Sequence, residues 1–226
     1  MTPSCGCMAS EYNNEPWSEM QIHMEEQNTE CSGWKRLLEY IDETADSLRS
    51  EFTPGEVLSG DEWAQIVTLP SSIAKLTSVR RLNLYGSALT RIPPEIGEMK
   101  SLEFLDTYTS YRLHWYPYEI KRCGSLTKSR VSTRALYGNY KFRPPFPQLP
   151  FDAPWLPENC SVCAQPIKAD ARIQVWISLH VASHDILPLL VNACSLDCVA
   201  MLPKPAEKYI ELPHYGGLGL QQPPPR

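Results

Sequence analysis

An apolar pattern recurs along the middle of this chain at a nearly constant interval, and few folds are compatible with such a pattern. The first copy has apolar residues at Ile73, Leu76, Val79, Leu82 and Leu84. Every position of the second copy follows its counterpart at one fixed interval, at Ile96, Met99, Leu102, Leu105 and Thr107. A weaker third copy follows at a slightly longer interval, at Ile120, Cys123, Leu126, Ser129 and Val131. One unit of this length cannot bury its own apolar side, so the pattern predicts units that stack on one another.

The spacing of these positions resembles the leucine-rich repeat family, whose unit is Leu-x-x-Leu-x-Leu followed by a turn and a return segment. The resemblance covers about residues 61–150, which is under half of the chain. It implies an α/β fold in which each copy supplies one short strand of a small solenoid. Where the family often has Asn in the turn, this chain has Ser87 and Ser110. Unrelated amphipathic strands and helices are the alternative, which the fixed period disfavours.

A short solenoid needs a cover at each end, and the sequence before the repeats supplies one. Apolar residues at helical spacing predict an amphipathic helix from Trp34 to Arg49, placed to cap the first repeat. The acidic stretch before it lacks such spacing and is expected to be disordered; no role is predicted for Cys5, Cys7 or Cys31. The predicted segments are a leader (1–30), a capping helix (31–60), repeats (61–142), a proline-rich connector (143–158), a cysteine unit (159–215) and a flexible tail (216–226).

Four cysteines beyond the repeats have the spacing of a metal site. Cys160 and Cys163 form one pair, Cys194 and Cys198 form another, and residues 164–193 separate the pairs. Two close pairs of thiolates can point four sulfur atoms at one tetrahedral Zn²⁺ ion. The hairpin pattern between the pairs and the helix pattern after them resemble a treble-clef zinc finger, which implies structural Zn²⁺ in a small C-terminal α+β unit. Two disulfides and free thiols are the alternatives, and the absence of a secretion signal disfavours disulfides.

A candidate binding surface follows from the resemblance, because the strand residues between the apolar positions of leucine-rich repeats form a concave face that usually binds a partner. The residues assigned to partner binding are Arg81, Asn83, Tyr85, Phe104, Asp106, Tyr108, Tyr111, Lys128 and Arg130. Aromatic and arginine side chains dominate the energetics of protein interfaces. We therefore predict a monomeric, non-enzymatic protein-binding module, against the alternative of a solvated sheet face. Some small bacterial leucine-rich repeat proteins are immunity factors, and by that analogy the partner is a toxin domain.

The net charge of −5 conceals two regions of opposite sign. Residues 1–34 contain six acidic and no basic residues, whereas residues 112–143 contain eight basic residues and one acidic residue. Basic residues interleaved with aromatics are typical of surfaces that stack on single-stranded nucleic acid, so nucleic-acid binding by residues 112–143 is the alternative function. The same region would also attract an acidic protein or the acidic leader of this chain. The isoelectric point near 5.6 argues against nucleic acid.

No catalytic motif is apparent in the sequence. His180 and His184 lack the glutamate that accompanies such a pair in metalloproteases, and the chain has no G-x-S-x-G elbow and no phosphate-binding loop. Four cysteine ligands would also leave no open position on a zinc ion. We therefore expect no enzymatic activity. Because the chain has neither a signal sequence nor an apolar run of membrane-spanning length, we expect a cytoplasmic protein with no membrane partner.

Overall fold

The structure of the protein is a computed structural model that describes residues 22–149, 153–182 and 184–225. Cys5, Cys7 and most of the predicted leader lie outside the described residues. No described helix is long and apolar enough to cross a lipid bilayer.

The chain has a mixed α/β fold and divides into two units. The parallel-sheet unit comprises residues 25–132 and 180–185. The cysteine unit comprises the described residues of 133–179 and 186–225, together with 22–24. The predicted proline-rich connector therefore belongs to the cysteine unit.

Four short strands form the sheet of the parallel-sheet unit, in the order β1–β2–β3–β5. They are β1 (Glu51–Phe52), β2 (Arg81–Asn83), β3 (Phe104–Thr107) and β5 (Lys128–Val131). A further short strand, β4 (Tyr116–Pro117), lies between β3 and β5 in the sequence but outside this sheet. All pairs in the sheet are parallel, with Arg81 opposite Phe104 and Phe104 opposite Lys128. The paired residues occupy equivalent positions in successive copies of the apolar pattern. Leu82 and Leu105, in the middle of their strands, are fully buried.

A 3₁₀ turn precedes each of the strands β2, β3 and β5. The three turns are Ser71–Lys75, Pro94–Glu98 and Tyr118–Arg122, and shorter turns follow at Thr133–Ala135 and Ala169–Ala171. The residue before each of the first three turns is a proline in the extended conformation, which explains why Pro70, Pro93 and Pro117 recur with the apolar pattern. The first three turns pack side by side, and at Gly97 an added Cβ would lie 2.8 Å from the Glu119 carbonyl oxygen.

An amphipathic helix, α1 (Ser32–Asp46), packs on the first of these turns. It buries Leu37, Tyr40 and Ile41, and the Tyr40 ring stacks on Phe52 of β1 with 4.8 Å between ring centroids. Two four-residue helices follow, α2 (Pro54–Val57) and α3 (Gly60–Trp63).

The cysteine unit contains most of the residues of two adjacent nine-residue strands. They are β6 (Ile173–Val181) and β7 (Asp185–Ala193), and a short helix, α4 (Leu196–Ala200), follows them. Trp176 is fully buried against the rings of Tyr137 and Phe146, and its indole N–H donates to the Pro147 carbonyl at 3.0 Å. The predicted connector thus supplies core residues to this unit.

Candidate metal centre and binding face

A tight turn positions the first pair of cysteines. The Cys160 N–H donates to the Gln165 carbonyl at 2.8 Å, and the Ala164 N–H donates to the Cys160 carbonyl at 2.9 Å. Ala164 has a φ of 61°, in the left-handed region, which turns the chain back on itself. Both cysteine side chains of the pair are thereby directed to one side of the turn, where the second pair lies.

The end of β7 and the start of α4 position the second pair. Cys194 directly follows β7, and Cys198 lies within α4, where its N–H donates to the Ser195 side chain at 3.2 Å and so caps the helix. The two pairs are joined through Ser161, whose N–H donates to the Asn192 carbonyl at 2.8 Å and whose hydroxyl accepts from the Asn192 N–H at 3.0 Å.

The four sulfur atoms converge on one point. All four lie within 4.8 Å of one another, and Cys194 Sγ is 3.6 Å from both Cys163 Sγ and Cys198 Sγ. Four thiolates at about 2.3 Å from a tetrahedral ion have sulfur atoms roughly 3.8 Å apart, whereas a disulfide brings them to about 2.05 Å. The arrangement therefore fits four ligands of one metal ion, and the cysteines are not paired as disulfides. The predicted clustering of Cys160, Cys163, Cys194 and Cys198 is confirmed.

The local electrostatics of the cluster favour one thiolate before any ion binds. Burial of Cys160 raises the pKa of its thiol, but hydrogen bonds from the backbone N–H groups of Cys163, Val162 and Cys194 outweigh that and lower the pKa to about 7. The thiol of Cys194 shares hydrogen bonds with Cys163 and Cys198, and its pKa rises to about 12. A metal cation among the sulfur atoms would displace these protons, so its binding would release protons.

The second site is the exposed face of the parallel sheet, where the structure places the predicted partner-binding residues in rows. Arg81, Phe104 and Lys128 lie opposite one another across the strands, and so do Asn83, Asp106 and Arg130. The rings of Tyr85 and Tyr108, beyond the ends of the rows, are 6.2 Å apart. Tyr111 lies outside the strands, in a turn after β3, and is 36% exposed.

Arg130 is the centre of this face. Its guanidinium carbon lies 5.4 Å from the Tyr85 ring centroid and 5.5 Å from that of Tyr108, within range of cation–π attraction. Its Nη2 lies 2.5 Å from Asp106 Oδ2, and this hydrogen bond raises the pKa of Arg130. Asp106 was expected to be an exposed member of the face, but its side chain is only 4% exposed, because it pairs with Arg130. Asp106 thus supports the face rather than forming its surface.

A pocket of 330 Å³ adjoins Arg130, and we call it the face pocket. Asn83, Tyr85 and Arg130 line it from the sheet. Thr53, Gly55, Glu56 and Trp63 line it from the segment that contains α2 and α3. The repeat pattern does not predict these last four residues, because they lie outside the repeated positions. The Ser59-x-x-Glu62 capping box of α3 is the one sequence signal that could have placed Trp63 on a helix.

The basic residues between 112 and 143 are divided between the two units. In the parallel-sheet unit, the Arg112 side chain forms an ion pair with Glu25. In the cysteine unit, Arg134 and Lys141 lie 5.7 and 5.3 Å from the ring centroid of Phe142, which is 39% exposed.

Comparison with known proteins adds nothing to these geometries. No family model matches the chain, and no curated protein matches it.

Proposed function

We propose that this protein is a non-enzymatic, leucine-rich-repeat type module that binds a protein partner through the exposed face of its parallel sheet. The observation that carries the proposal is the cluster of Arg130, Tyr85 and Tyr108, held in place by buried Asp106. The repeat assignment is supported by the pairing of equivalent repeat positions across the strands and by the 3₁₀ turn that precedes each strand.

Preorganisation of Arg130 favours binding at this face. A free arginine side chain loses rotamer freedom when it enters an interface, and this loss opposes binding. Arg130 is already held by a carboxylate and two aromatic rings, so little further ordering is needed on association. Tyr85 and Tyr108 remain 49% and 45% exposed and offer rigid apolar area to a partner. Neutralisation of a toxin domain is the special case that the family resemblance implies.

The test of this proposal uses single alanine variants of Tyr85, Tyr108 and Arg130, with Tyr215→Ala as the matched control. Tyr215 is a 61% exposed tyrosine of the cysteine unit. Each protein would serve as bait for cross-linking in lysate, with the captured protein identified by mass spectrometry and its affinity then measured. We expect each face variant to weaken the affinity by tenfold or more, as for interface hot spots of about 2 kcal/mol, and the control to bind normally. Equal affinity of all variants would refute the proposed face.

We also propose that the four-cysteine cluster holds a structural Zn²⁺ ion. Four thiolates form the closed tetrahedral shell of structural zinc and leave no position for a substrate. The ion would join the turn at residues 160–163 to α4 and stabilise a unit of small size. Metal analysis of purified protein should find one zinc per chain, with less than a tenth as much in Cys160→Ser. Protein that folds without bound metal would rule the proposal out.

Single-stranded nucleic acid is a second candidate partner, and one observation favours it. Phe142 is exposed and flanked by Arg134 and Lys141, which is an arrangement suited to stacking on a base beside phosphates. The test is the affinity for a single-stranded oligonucleotide at 50 and 200 mM salt. Micromolar binding that weakens with salt and is lost in Phe142→Ala would support this candidate. Absence of binding at low salt would eliminate it.

A further inference from the structure

One row of the exposed sheet face carries two cations on either side of an aromatic ring. The row consists of Arg81 on β2, Phe104 on β3 and Lys128 on β5, and we call it the Phe104 row. We propose that the Phe104 row binds an acidic segment of the protein partner, with carboxylates next to Arg81 and Lys128. This inference rests on the proposed function, because the row belongs to the proposed face.

The strand register places the three side chains of the row on one side of the sheet. Leu82 and Leu105, which follow Arg81 and Phe104 along their strands, are fully buried, so the row points to the opposite, outer side. Neighbouring strands are about 4.8 Å apart, so the backbones of Arg81 and Lys128 are roughly 10 Å apart. Three residues of an extended segment span about the same distance, so two carboxylates of one short segment can reach both cations.

The two cations of the row differ from their neighbours because they are not paired with carboxylates. Arg80, the residue before Arg81, forms an ion pair with Glu103, and Arg130 is also paired. Neither Arg81 nor Lys128 forms an ion pair with a carboxylate in the described part of the chain, although both side chains are exposed. The positive charge of these two residues is therefore available to a partner.

The contact between Arg81 and Phe104 suits the binding of a carboxylate. The guanidinium carbon of Arg81 lies 4.2 Å from the Phe104 ring centroid, and this attraction restrains the long side chain. The N–H groups of Arg81 have no acceptor among the described atoms. A guanidinium can donate two parallel hydrogen bonds to one carboxylate. A carboxylate that reaches this position is therefore bound by a donor group that is already restrained.

Two glutamates on the same face favour a protein segment over nucleic acid. Glu51 lies opposite Arg81 on β1 and is exposed, and Glu56 lines the face pocket. A single-stranded nucleic acid carries a negative charge at every phosphate, and these carboxylates repel it. A protein segment can place its carboxylates beside the two cations and neutral residues beside Glu51 and Glu56. Such complementarity determines which partner is selected more than it determines affinity.

The experiment compares variants of the full chain on an array of random-sequence dodecapeptides, after circular dichroism has shown that each variant is folded. Arg81→Glu with Lys128→Glu reverses both charges of the row, and Arg81→Gln with Lys128→Gln removes them. The matched control is Lys35→Glu with Lys75→Glu, which changes the net charge by the same amount at exposed positions of α1 and of the first 3₁₀ turn. If the double Glu variant does not fold, the double Gln variant decides.

At 50 mM salt we expect the parent protein and the control to retain peptides with an excess of Asp and Glu. The double Gln variant should lose this excess, and the double Glu variant should retain peptides with an excess of Lys and Arg. The peptides retained by the parent should bind the double Glu variant about tenfold more weakly. They should also bind the parent more weakly at 500 mM salt, because salt screens exposed charges.

Four results would overturn the inference: no peptide retained by the parent, no acidic excess in its peptides, the same excess with the double Gln variant, or an equal change in the control. Tighter binding of a single-stranded oligonucleotide than of the best acidic peptide, lost in the double Gln variant, would assign the row to nucleic acid instead. The outcome is separable from that of the proposed function. Partner capture that depends on Tyr85 and Arg130, with no acidic excess in the peptides, refutes the acidic segment alone. Acidic selection by the row, with capture that is insensitive to Tyr85 and Arg130, refutes the proposed function alone.

Discussion

The Ser110 hydroxyl links two neighbouring turns of the parallel-sheet unit through hydrogen bonds to Ser87 and to the backbone. Its Oγ lies 2.7 Å from Ser87 Oγ, accepts the Ser87 N–H at 3.2 Å and donates to the Leu84 carbonyl at 3.0 Å. Ser87 and Ser110 are both buried. Two small side chains in neighbouring turns thus satisfy each other and the adjacent backbone groups.

Replacing Ser110 by Ala should therefore destabilise the parallel-sheet unit. The change leaves the buried Ser87 hydroxyl and N–H with fewer partners, and we expect a loss of about 1–3 kcal/mol in the free energy of unfolding. Urea denaturation followed by circular dichroism would measure it. Ser125→Ala, at an exposed position, should stay within about 0.5 kcal/mol of the parent protein. Equal stability of the two variants would contradict the role given to Ser110.

His214 makes the stability of the cysteine unit dependent on pH. Its ring is buried edge-on against Phe146, neither ring nitrogen has a hydrogen-bond partner among the described atoms, and burial lowers the pKa of the imidazole to about 4. Between pH 6.5 and 4 the unfolded chain takes up a proton that the folded chain does not, so stability falls as the pH falls. The loss from this group reaches about 3 kcal/mol at pH 4.

The measurement is the free energy of unfolding of the parent protein and of His214→Leu at several pH values. We expect the difference between the two proteins to change by about 3 kcal/mol in favour of the variant from pH 7 to pH 4. Proton binding by the cysteine thiols affects both proteins and cancels. His180→Gln, which alters an exposed histidine, serves as the control. A pH-independent difference for His214→Leu would show that the imidazole is not held neutral.

The 3₁₀ turns set how closely successive copies of the apolar pattern approach. Gly97→Ala would place a methyl group 2.8 Å from the Glu119 carbonyl oxygen in the next turn. Cβ atoms in proteins essentially never lie that close to another heavy atom to which they are not bonded. The backbone must shift to relieve the overlap, and we expect a loss of roughly 1–3 kcal/mol in the free energy of unfolding. Gly124→Ala is the matched control, because no atom lies within 4 Å of an added Cβ there. Similar melting temperatures for the two variants would contradict the close packing of the turns.

The sequence predicted elements well where they recur and less well where they do not. Helix α1 ends at Asp46, although the apolar spacing continues to Leu48, because Leu48 adopts a φ of 49° and is 72% exposed. Helices α2 and α3 have only four residues each and carry no periodic signal. The strand positions were predicted because each apolar residue has a counterpart in the next copy of the pattern, as Leu82 has in Leu105.

Sequence predicts the cysteine cluster better than the face pocket, and the difference has a physical reason. The cysteine cluster depends on a tight turn and a helix start next to each pair, so spacing alone is informative. The face pocket combines Trp63 and Glu56 with Arg130 of β5, which is distant from both along the chain. Burial of Asp106 was missed because it depends on the side chain of Arg130, not on the strand pattern.

The two units should respond differently to loss of metal. If Zn²⁺ holds the turn at residues 160–163 to α4, a chelator should expose backbone N–H groups of residues 159–200, while residues 81–131 should keep theirs protected. Hydrogen–deuterium exchange with mass spectrometry, before and after chelation, would measure both. Re-addition of Zn²⁺ should restore protection. If hydrogen exchange at residues 159–200 stayed unchanged in protein shown to have lost its metal, the ion would not be needed for the folding of these residues.

The nearly constant offset between the paired strands β2, β3 and β5 has a consequence for how such a chain can evolve. A tandem duplication of one whole copy of the pattern would insert one further strand in the same register, with its buried leucine aligned with Leu82 and Leu105. The offset from β3 to β5 is slightly longer than the offset from β2 to β3, so small changes of length are absorbed in the turns. Such duplications would widen the exposed face of the sheet by one strand each, and the side chains on that face could vary without altering the residues inside.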